Sequence, residues 1–318
     1  MGIKMTERTY SRSGFYPEGA LSGKAENMMY TRSREALAVA AERGMILESP
    51  CIMCDSADMT LKIELPDGVV GIMERGEVSF PLGGETKDIA VITRVGKPVQ
   101  YKILRLDGKA AYLSRRAAQE ECYEKYISTL LPGDVIPAKV THLEPFGAFC
   151  DIGAGIVSLL TVDRISVSRI SHPSDRFRTG EFISTVVSAI GENGRIYLTH
   201  RELLGTWEEN ASRFSAGQTV TGIVRSIEEY GVFVELAPNL AGLAEVTDGV
   251  EVGDACSVYI KSINPERMKI KLVIIDTCGK AELSPSEYYI DTERTWHIGK
   301  WLYSPEYAVK TVGTVFDE

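Results

Sequence analysis

Apolar and polar residues alternate along three stretches of the chain, at residues 135–143, 219–227 and 256–263. Alternation with a period of two is typical of β-strands that bury one face. Val and Ile are frequent in these stretches, and Gly, Asn, Asp and Pro mark their ends. Short strands at regular spacing, separated by turn residues, predict small β-barrels.

Helical patterns lie between the strand-rich stretches. Residues 115–130 carry Ala, Glu and spaced apolar residues and end before a Pro-Gly pair, and residues 200–214 are similar. A shorter helix is predicted over residues 33–43, with Ser33 as its N-cap and Gly44 as its stop signal. We interpret the two longer helices as connections between barrels.

Two segments of the chain repeat in one gap-free register. Residues 132–152 read PGDVIPAKVTHLEPFGAFCDI, and residues 216–236, each 84 positions later, read AGQTVTGIVRSIEEYGVFVEL. Further on, residues 193–198 match residues 267–272, and the second copy has almost no counterpart of residues 166–178. A shared register of this length indicates a duplicated structural unit.

A fainter third copy precedes these two, because residues 68–73 resemble residues 155–160 and residues 111–114 resemble residues 196–199. Where the other copies read FGAF or YGVF, this copy is predicted to carry residues 57–60, which read ADMT. The chain is therefore predicted to be mainly β, with tandem five-stranded barrels joined by short α-helices.

Composition and charge narrow the class of protein. The 318 residues carry a net charge of −9, which argues against a protein that holds nucleic acid by bulk positive charge. No run approaches the ~20 apolar residues of a membrane span, and the first twenty residues lack the apolar core of a secretion signal. We therefore expect a cytoplasmic protein with no membrane partner, whose six cysteines are reduced thiols.

Residue patterns that would indicate catalysis or a metal site are weak. The chain has no phosphate-binding loop, nucleophile elbow, zinc-protease helix or dinucleotide fingerprint. Cys51 and Cys54 form a lone CxxC without a second pair or a nearby His, so core packing is a better interpretation than zinc or redox chemistry. We expect no catalytic residues, no cofactor and no metal.

The aromatic residues of the repeat allow two interpretations. Phe146 and Phe149 are three positions apart, and simple strand alternation would place one ring inside the barrel and the other outside. A bulge at Gly147 would instead bring both rings to one surface. The same alternatives hold for Tyr230 and Phe233.

The repeats resemble the ribosomal protein S-one type RNA-binding module, a five-stranded OB-fold subtype, and three such modules resemble a short bacterial small-subunit ribosomal protein S-one homologue. The resemblance is strong for residues 131–204 and 215–276 and weak for residues 44–114. The resemblance implies a degenerate module at 44–114 and modules at 131–200 and 215–276. The residue patterns predict the rest: a mobile arm with a short helix at 1–43, linker helices at 115–130 and 201–214, and an aromatic tail at 277–318.

The resemblance also implies site residues. The family's outward aromatics fall on Phe146 and Phe149 and on Tyr230 and Phe233, and its basic residue of the last strand falls on Arg195 and Lys269. The third strand often has a histidine in the family, but this chain has Thr161 and Glu245 at that position. Since Glu245 would repel phosphate, weaker binding is expected from the third module. The first copy, which lacks the rings, is expected to contact protein.

Single-stranded RNA is usually held by bases stacked on aromatic rings, with cations along the backbone. Four rings in two modules suit this mode, with little sequence preference. The candidate cations and polar contacts in addition to those named above are Arg225 and the loop residues Arg169, His172, Arg176 and Arg178. His172 has an alternative role, which is to order the loop before Pro173.

Three functions compete at this point. The leading one is a noncatalytic single-stranded RNA (mRNA) binding protein that acts in translation with the small ribosomal subunit, an association that rests on the resemblance. The second is an adaptor that binds another protein of the RNA-processing or transcription machinery. The third, an RNA-processing enzyme, has almost no chain left to hold a catalytic domain.

Overall fold

The computed structural model describes residues 14–80, 87–283 and 285–317. Three closed five-stranded barrels follow one another along this part of the chain. Each barrel encloses its own apolar core, formed by the inward residues of alternating strands. Residues 136, 138 and 140, for example, all point into the second barrel, as a period of two requires. The predicted mainly β fold of tandem barrels is confirmed.

The first barrel follows two short helices, and its strand order is β1-β2-β3-β5-β4. Its elements are α1 (Ala25–Tyr30), α2 (Arg34–Glu42), β1 (Leu47–Asp55), β2 (Thr60–Glu64), β3 (Val70–Met73), α3 (Asp88–Ile92), β4 (Pro98–Asp107) and β5 (Ala110–Ser114). The predicted N-cap is confirmed, because the Ser33 hydroxyl accepts a hydrogen bond from the Ala36 amide at 3.2 Å.

Helix α4 (Arg115–Lys125) leads from the first barrel to the second and is followed by a 3-10 turn at 127–129. The second barrel has the order β10-β8-β7-β6-β9. Its strands are β6 (Val135–Glu144), β7 (Gly147–Asp151), β8 (Val157–Thr161), β9 (Phe182–Ile190) and β10 (Ile196–Thr199). The predicted helix at 200–214 is instead a 3-10 turn at 201–203 followed by the short helix α5 (Trp207–Ala211).

The third barrel has the order β11-β12-β13-β15-β14. Its strands are β11 (Thr219–Glu228), β12 (Gly231–Ala237), β13 (Leu240–Ala244), β14 (Asp254–Asn264) and β15 (Lys269–Lys280). The aromatic tail then packs on the second and third barrels and forms a two-stranded sheet of β16 (Lys300–Leu302) and β17 (Gly313–Val315). No helix in the described ranges is long and apolar enough to cross a bilayer.

The N-terminal arm differs from the prediction where the structure describes it. Residues 1–13 lie outside the described residues, but from Gly14 onward the arm packs across the junction of the first two barrels. The Glu48 carboxylate accepts hydrogen bonds from the amides of Gly19 and Ser22, at 2.7 and 2.8 Å. The prediction of a mobile arm is therefore wrong for this part, since its turn supplies donors to a buried carboxylate.

A buried ion-pair cluster joins the arm, helix α4 and the second barrel; we call it the first joint. The Arg115 guanidinium binds Glu18 through both ends, at 2.6 and 3.1 Å, and donates to the carbonyl oxygens of Val78 and Gly155. The Glu18 amide donates to Asp151 in β7 at 2.7 Å. Because four separate parts of the chain meet here, the first two barrels are held in one relative orientation.

Charge at the first joint follows from this geometry. Burial opposes ionisation of Glu18, but the guanidinium groups of Arg115 and Arg94 outweigh it and hold the pKa of Glu18 below its usual range. Burial and the neighbouring Glu18 carboxylate raise the pKa of Asp151 to about 7. The stabilisation that Asp151 gives as a protonated group is therefore present below about pH 4 and is lost as the pH rises through 7.

A second joint connects the second and third barrels, and the segment that the third barrel lacks, residues 166–178, forms it. The Ser168 amide donates to the carbonyl of Pro238, and the Val167 amide donates to the side chain of Asn239. Asn239 in turn donates to the carbonyls of Arg201 and Gly205, each at 2.8 Å. The extra loop of the second barrel thus serves as a docking segment for the third.

His200 connects the second barrel to the tail from a fully buried position. Its Nδ1 lies 3.1 Å from the Ile165 carbonyl, and its ring meets those of Phe177 and Tyr288 edge to face. Burial lowers the pKa of His200 to about 4. Since the unfolded pKa is 6.5, the stability that the neutral ring provides is present above pH 6.5 and is lost as the pH falls towards 4.

We expect acid to destabilise this region by about 3 kcal/mol through His200, because each unit of pKa difference corresponds to ~1.4 kcal/mol. The variant His200→Asn keeps a donor for Ile165 but does not titrate. Urea unfolding followed by tryptophan fluorescence at pH 7 and pH 4.5 should show a smaller loss in the variant than in wild type. Comparing the two proteins removes the opposite contribution of Asp151, which both share. Equal losses would contradict the assignment.

Candidate nucleic-acid interface

Phe146 and Phe149 lie on one outer surface of the second barrel. Phe146 is in the tight turn between β6 and β7 and is 54% exposed, while Phe149 is half-buried on β7. Their ring centroids are 5.9 Å apart and the rings are perpendicular. The alternative in which one of the rings belongs to the core is excluded.

The backbone feature beside this pair differs from the predicted one. The bulge lies at Thr141 on β6, opposite Phe149, and not at Gly147. Gly147 is needed for another reason: a Cβ atom there would lie 2.5 Å from the Leu160 carbonyl oxygen. The glycine between the two aromatic positions therefore allows β7 to approach β8 closely while Phe146 stays in the turn.

The third barrel repeats the arrangement. Tyr230 is 70% exposed, Phe233 is half-buried, and their centroids are 6.1 Å apart with perpendicular rings. The bulge recurs at Arg225, and a Cβ atom on Gly231 would lie 2.5 Å from the Ala244 carbonyl oxygen. The two barrels thus present the same pair of rings with the same backbone geometry.

Two further rings, His142 and Tyr197, belong to the surface of the second barrel, although neither is among the predicted site residues. His142 stacks on Phe149, with centroids 6.3 Å apart and an interplanar angle of 23°. Tyr197 on β10 is 38% exposed. It lies beside Leu159 of β8, and Leu159 lies beside Phe149 of β7. We call Phe146, Phe149, His142 and Tyr197 the aromatic surface. Only the strand register shows that His142 lies opposite Phe149. Tyr197 could have been found from the sequence, because it comes two residues after Arg195 and so lies on the same face of the strand.

The basic residues of the last strand are exposed on both barrels. Arg195 lies just before β10, and Lys269 begins β15. The position of Tyr197 is occupied in the third barrel by Lys271, and Lys261 lies in the neighbouring bulge of β14. The surface of the second barrel is therefore richer in rings, while that of the third barrel is richer in lysine. Glu245 is exposed at the end of β13.

Two predicted RNA-binding cations are instead part of the second joint. Arg176 is 5% exposed and donates to Glu235 of the third barrel, and Arg225 donates to the same carboxylate at 2.8 and 3.3 Å. Burial and the nearby Arg225 charge lower the pKa of Arg176, although Glu235 opposes this. Since both guanidinium groups are occupied by a buried carboxylate, neither faces the aromatic surface, and these two predictions are corrected.

The other predicted loop and strand residues lie at or near the surface. Arg169 and Arg178 are exposed, and Thr161 is half-buried at the end of β8, where it pairs with Gly147. The Nδ1 of His172 accepts a hydrogen bond from the Ser174 amide at 3.1 Å. His172 therefore orders the turn at 173–175, which was its alternative role.

The first barrel lacks the rings, but the residues in their place differ from those predicted. The strand register aligns Met59 and Lys62 with Phe146 and Phe149, two positions later than the prediction of residues 57–60. The four-residue turn between β1 and β2 is longer than its counterpart, which sequence matching without a gap could not show. Met53 takes the place of His142, and Arg105 covers the ring of Tyr112 at 3.8 Å.

The cysteine pair is split between two environments. Cys51 lies in the core of the first barrel, where burial raises the pKa of its thiol, and Cys54 is partly exposed. Within the described ranges, no group of three or more His, Cys, Asp or Glu residues is placed to hold a metal ion.

Comparisons with known proteins agree with this geometry. Residues 130–201, which make up the second barrel, match the family model described as S1 RNA binding domain. The second barrel is therefore of the S1 type, which the family model describes as an RNA binding domain. The family model and the relatives below describe RNA-binding and ribosomal proteins and indicate no catalytic family.

The relatives extend beyond this one domain. The chain is 31% identical over 195 residues to the small ribosomal subunit protein bS1 of Leuconostoc lactis, a match that covers 55% of this chain and 45% of that protein. It is 28% identical over 240 residues to bS1 of Staphylococcus aureus, covering 69% of this chain and 61% of that protein. The chain thus resembles bacterial ribosomal proteins of the S1 family and spans about half the length of these relatives.

A solved multidomain protein with nucleic acid binding domains from Streptococcus pneumoniae is 15% identical and covers 73% of this chain and 74% of its own. The TM-score of this match is 0.25, and we draw nothing further from it.

Proposed function

We propose that the protein binds single-stranded RNA by stacking bases on the aromatic pairs of its second and third barrels. The observation that supports this is that both pairs, Phe146 with Phe149 and Tyr230 with Phe233, lie on the outer surface of their barrels with nearly the same separation. Exposed rings next to a cation suit a base and its phosphate without selecting a sequence. Because catalysis is not needed for this role, we propose a noncatalytic protein.

We further propose that the RNA is mRNA and that the protein acts with the small ribosomal subunit in the cytoplasm. This rests on the similarity to bS1 proteins, which carry the name of that subunit. The first barrel supports a protein contact, since Met53, Met59 and Lys62 replace the rings there and Ile52 and Leu104 are more than half exposed. An adaptor role for the whole chain is the second candidate, favoured by the absence of the aromatic pair from this described barrel.

The test is binding of a fluorescent single-stranded RNA of ~12 nucleotides, a length suited to one or two OB-folds. Each stacked base contributes ~1–3 kcal/mol, so Phe146→Ala/Phe149→Ala should weaken binding by at least about tenfold. Tyr230→Ala/Phe233→Ala should have a smaller effect, because the third barrel has fewer rings and carries Glu245. Fluorescence anisotropy measures both.

The matched control is Tyr307→Ala, which removes a ring that is 58% exposed on the tail. It should leave the affinity unchanged, and circular dichroism should show that all three variants are folded. Wild-type binding that survives the loss of both aromatic pairs would contradict stacking at these residues. Absence of binding by wild type would favour the adaptor role.

A further inference from the structure

A groove of about 430 Å³ opens beside the aromatic surface, where the first barrel meets the second. The first barrel and its helix α4 contribute Phe80 and Gln119 to its walls. The second barrel contributes Phe149, Leu159, Arg195 and Tyr197. Since Phe149 and Tyr197 belong both to the groove and to the aromatic surface, the two are continuous.

The wall on the first-barrel side is held firmly in place. The Phe80 amide donates to Gln119 Oε1 at 2.8 Å, and Gln119 Nε2 donates to the Ala154 carbonyl of the second barrel at 3.0 Å. The Phe80 ring also packs on Tyr123 of α4, with centroids 5.7 Å apart. Phe80 therefore keeps its position relative to the rings of the second barrel without any ligand, so little ordering is needed on binding.

The chemistry of the walls suits a flat, partly apolar group next to an anion. Phe80, Leu159 and Tyr197 provide apolar and aromatic surface, and Arg195 is an exposed cation at the same groove. Its volume lies within the ~300–1,000 Å³ range of small-molecule sites, which are mostly apolar with a few polar groups. A nucleobase on a phosphodiester backbone has these properties, and a base can enter such a site once it is unstacked from its neighbours.

We propose that this groove takes one nucleobase of the single-stranded RNA whose neighbouring bases stack on Phe149 and Phe146. The proposal rests on the proposed function and adds a contact that the second barrel cannot make alone, because Phe80 comes from the first barrel. The first barrel thus takes part in RNA binding at its junction, although its own outer surface lacks the rings. The strand runs from the aromatic surface towards the first barrel.

The test uses oligouridylate of ~12 nucleotides and variants of Phe80. Phe80→Leu keeps apolar bulk against Tyr123 but removes the ring, and should weaken binding about five- to tenfold, the loss of one stacked base. Phe80→Tyr keeps the ring and should bind like wild type. Tyr112→Ala is the control, because it removes a ring at the equivalent of Tyr197 on the first barrel.

A second measurement separates a base contact from a loss of folding. A series of oligouridylates, each with one abasic position, is titrated against wild type and Phe80→Leu. In wild type, an abasic site at one position should weaken binding about as much as the Phe80→Leu substitution does. In the variant, the same abasic site should cause little further loss of affinity. Such non-additivity is expected only if the missing base and the missing ring contact each other.

The outcomes distinguish this proposal from the proposed function. If wild type binds RNA and loses affinity on removal of Phe146 and Phe149, but Phe80→Leu binds equally well, the base site in the groove is wrong and stacking on the barrel surface stands. If each abasic position lowers the affinity of both proteins by the same factor, the base site in the groove is again wrong. If wild type does not bind RNA, both proposals fail.

Discussion

Replacing Arg115 by Met is expected to lower the free energy of unfolding by about 3–5 kcal/mol, the usual cost of removing one partner of a buried ion pair. Arg115 and Glu18 are 5% and 7% exposed, and the guanidinium also satisfies the carbonyls of Val78 and Gly155. Without it, the Glu18 carboxylate stays buried, and among the described residues Arg94, at 3.3 Å, is the remaining cation paired with it. Urea unfolding followed by circular dichroism measures the loss.

Arg116→Met is the matched control for this prediction. It removes the neighbouring arginine of the same helix, which pairs with Glu77 and Glu120. The Arg116 side chain is more than one-third exposed. Exposed pairs contribute ~0–1 kcal/mol, so this variant should be nearly as stable as wild type. Hydrogen exchange adds a local measure, because the amides of Glu18 and Gly155 should exchange faster in Arg115→Met alone. Similar losses in the two variants would disprove a special role for the first joint.

Glu235→Gln is expected to have an effect of similar size at the second joint, again about 3–5 kcal/mol. Glu235 is the carboxylate that receives both Arg176 and Arg225, and all three side chains are at most 8% exposed. The substitution leaves two buried guanidinium groups with Asp175 as their remaining carboxylate, 3.6 Å from Arg225. Trp207 and Trp301 lie in the core of the third barrel, so tryptophan fluorescence during urea unfolding reports on this part of the molecule.

Two further variants test the explanation. Glu251→Gln removes a carboxylate that is 78% exposed and paired with Lys280, and should change stability little. Glu235→Leu/Arg176→Met removes a cation together with the carboxylate and should recover part of the loss, because apolar side chains can replace a buried pair. If the double variant were as unstable as the sum of its parts, loss of packing and not unpaired charge would be the cause.

The two joints use the same position of the barrel. Asp151 in β7 and Glu235 in β12 each come two residues after the second ring of the aromatic pair, and each is a buried carboxylate in the second half of its strand. In both cases the linker that precedes the barrel binds the turn that follows this strand. After β7, Arg115 and Gln119 donate to carbonyl oxygens of the turn. After β12, Asn239 in the turn donates to the carbonyl oxygens of Arg201 and Gly205 in the linker. The second joint therefore holds the aromatic pairs of the second and third barrels at a fixed separation.

Much of this protein is determined by local sequence. The alternation of residues 135–143 and 219–227 is enough to place the strands, because a strand that buries one face needs apolar residues with a period of two. The Phe-Gly-Ala-Phe and Tyr-Gly-Val-Phe repeats identify the aromatic pairs, since a Cβ atom at either glycine would clash with the next strand. The Ser33 cap is equally local, because it depends on residues three apart.

The tertiary structure alone decided which charges remain available to a ligand. Arg176 and Arg225 have the same sequence character as Arg195. Arg176, however, meets Glu235 across the joint between the second and third barrels, 59 residues away along the chain, and Arg225 binds the same carboxylate from the neighbouring strand β11. His142 and Phe80 likewise gained their roles from strand register and from the contact between barrels. Whether a cation or a ring faces solvent or a partner depends on contacts formed in the folded protein, and a local sequence pattern does not contain those contacts.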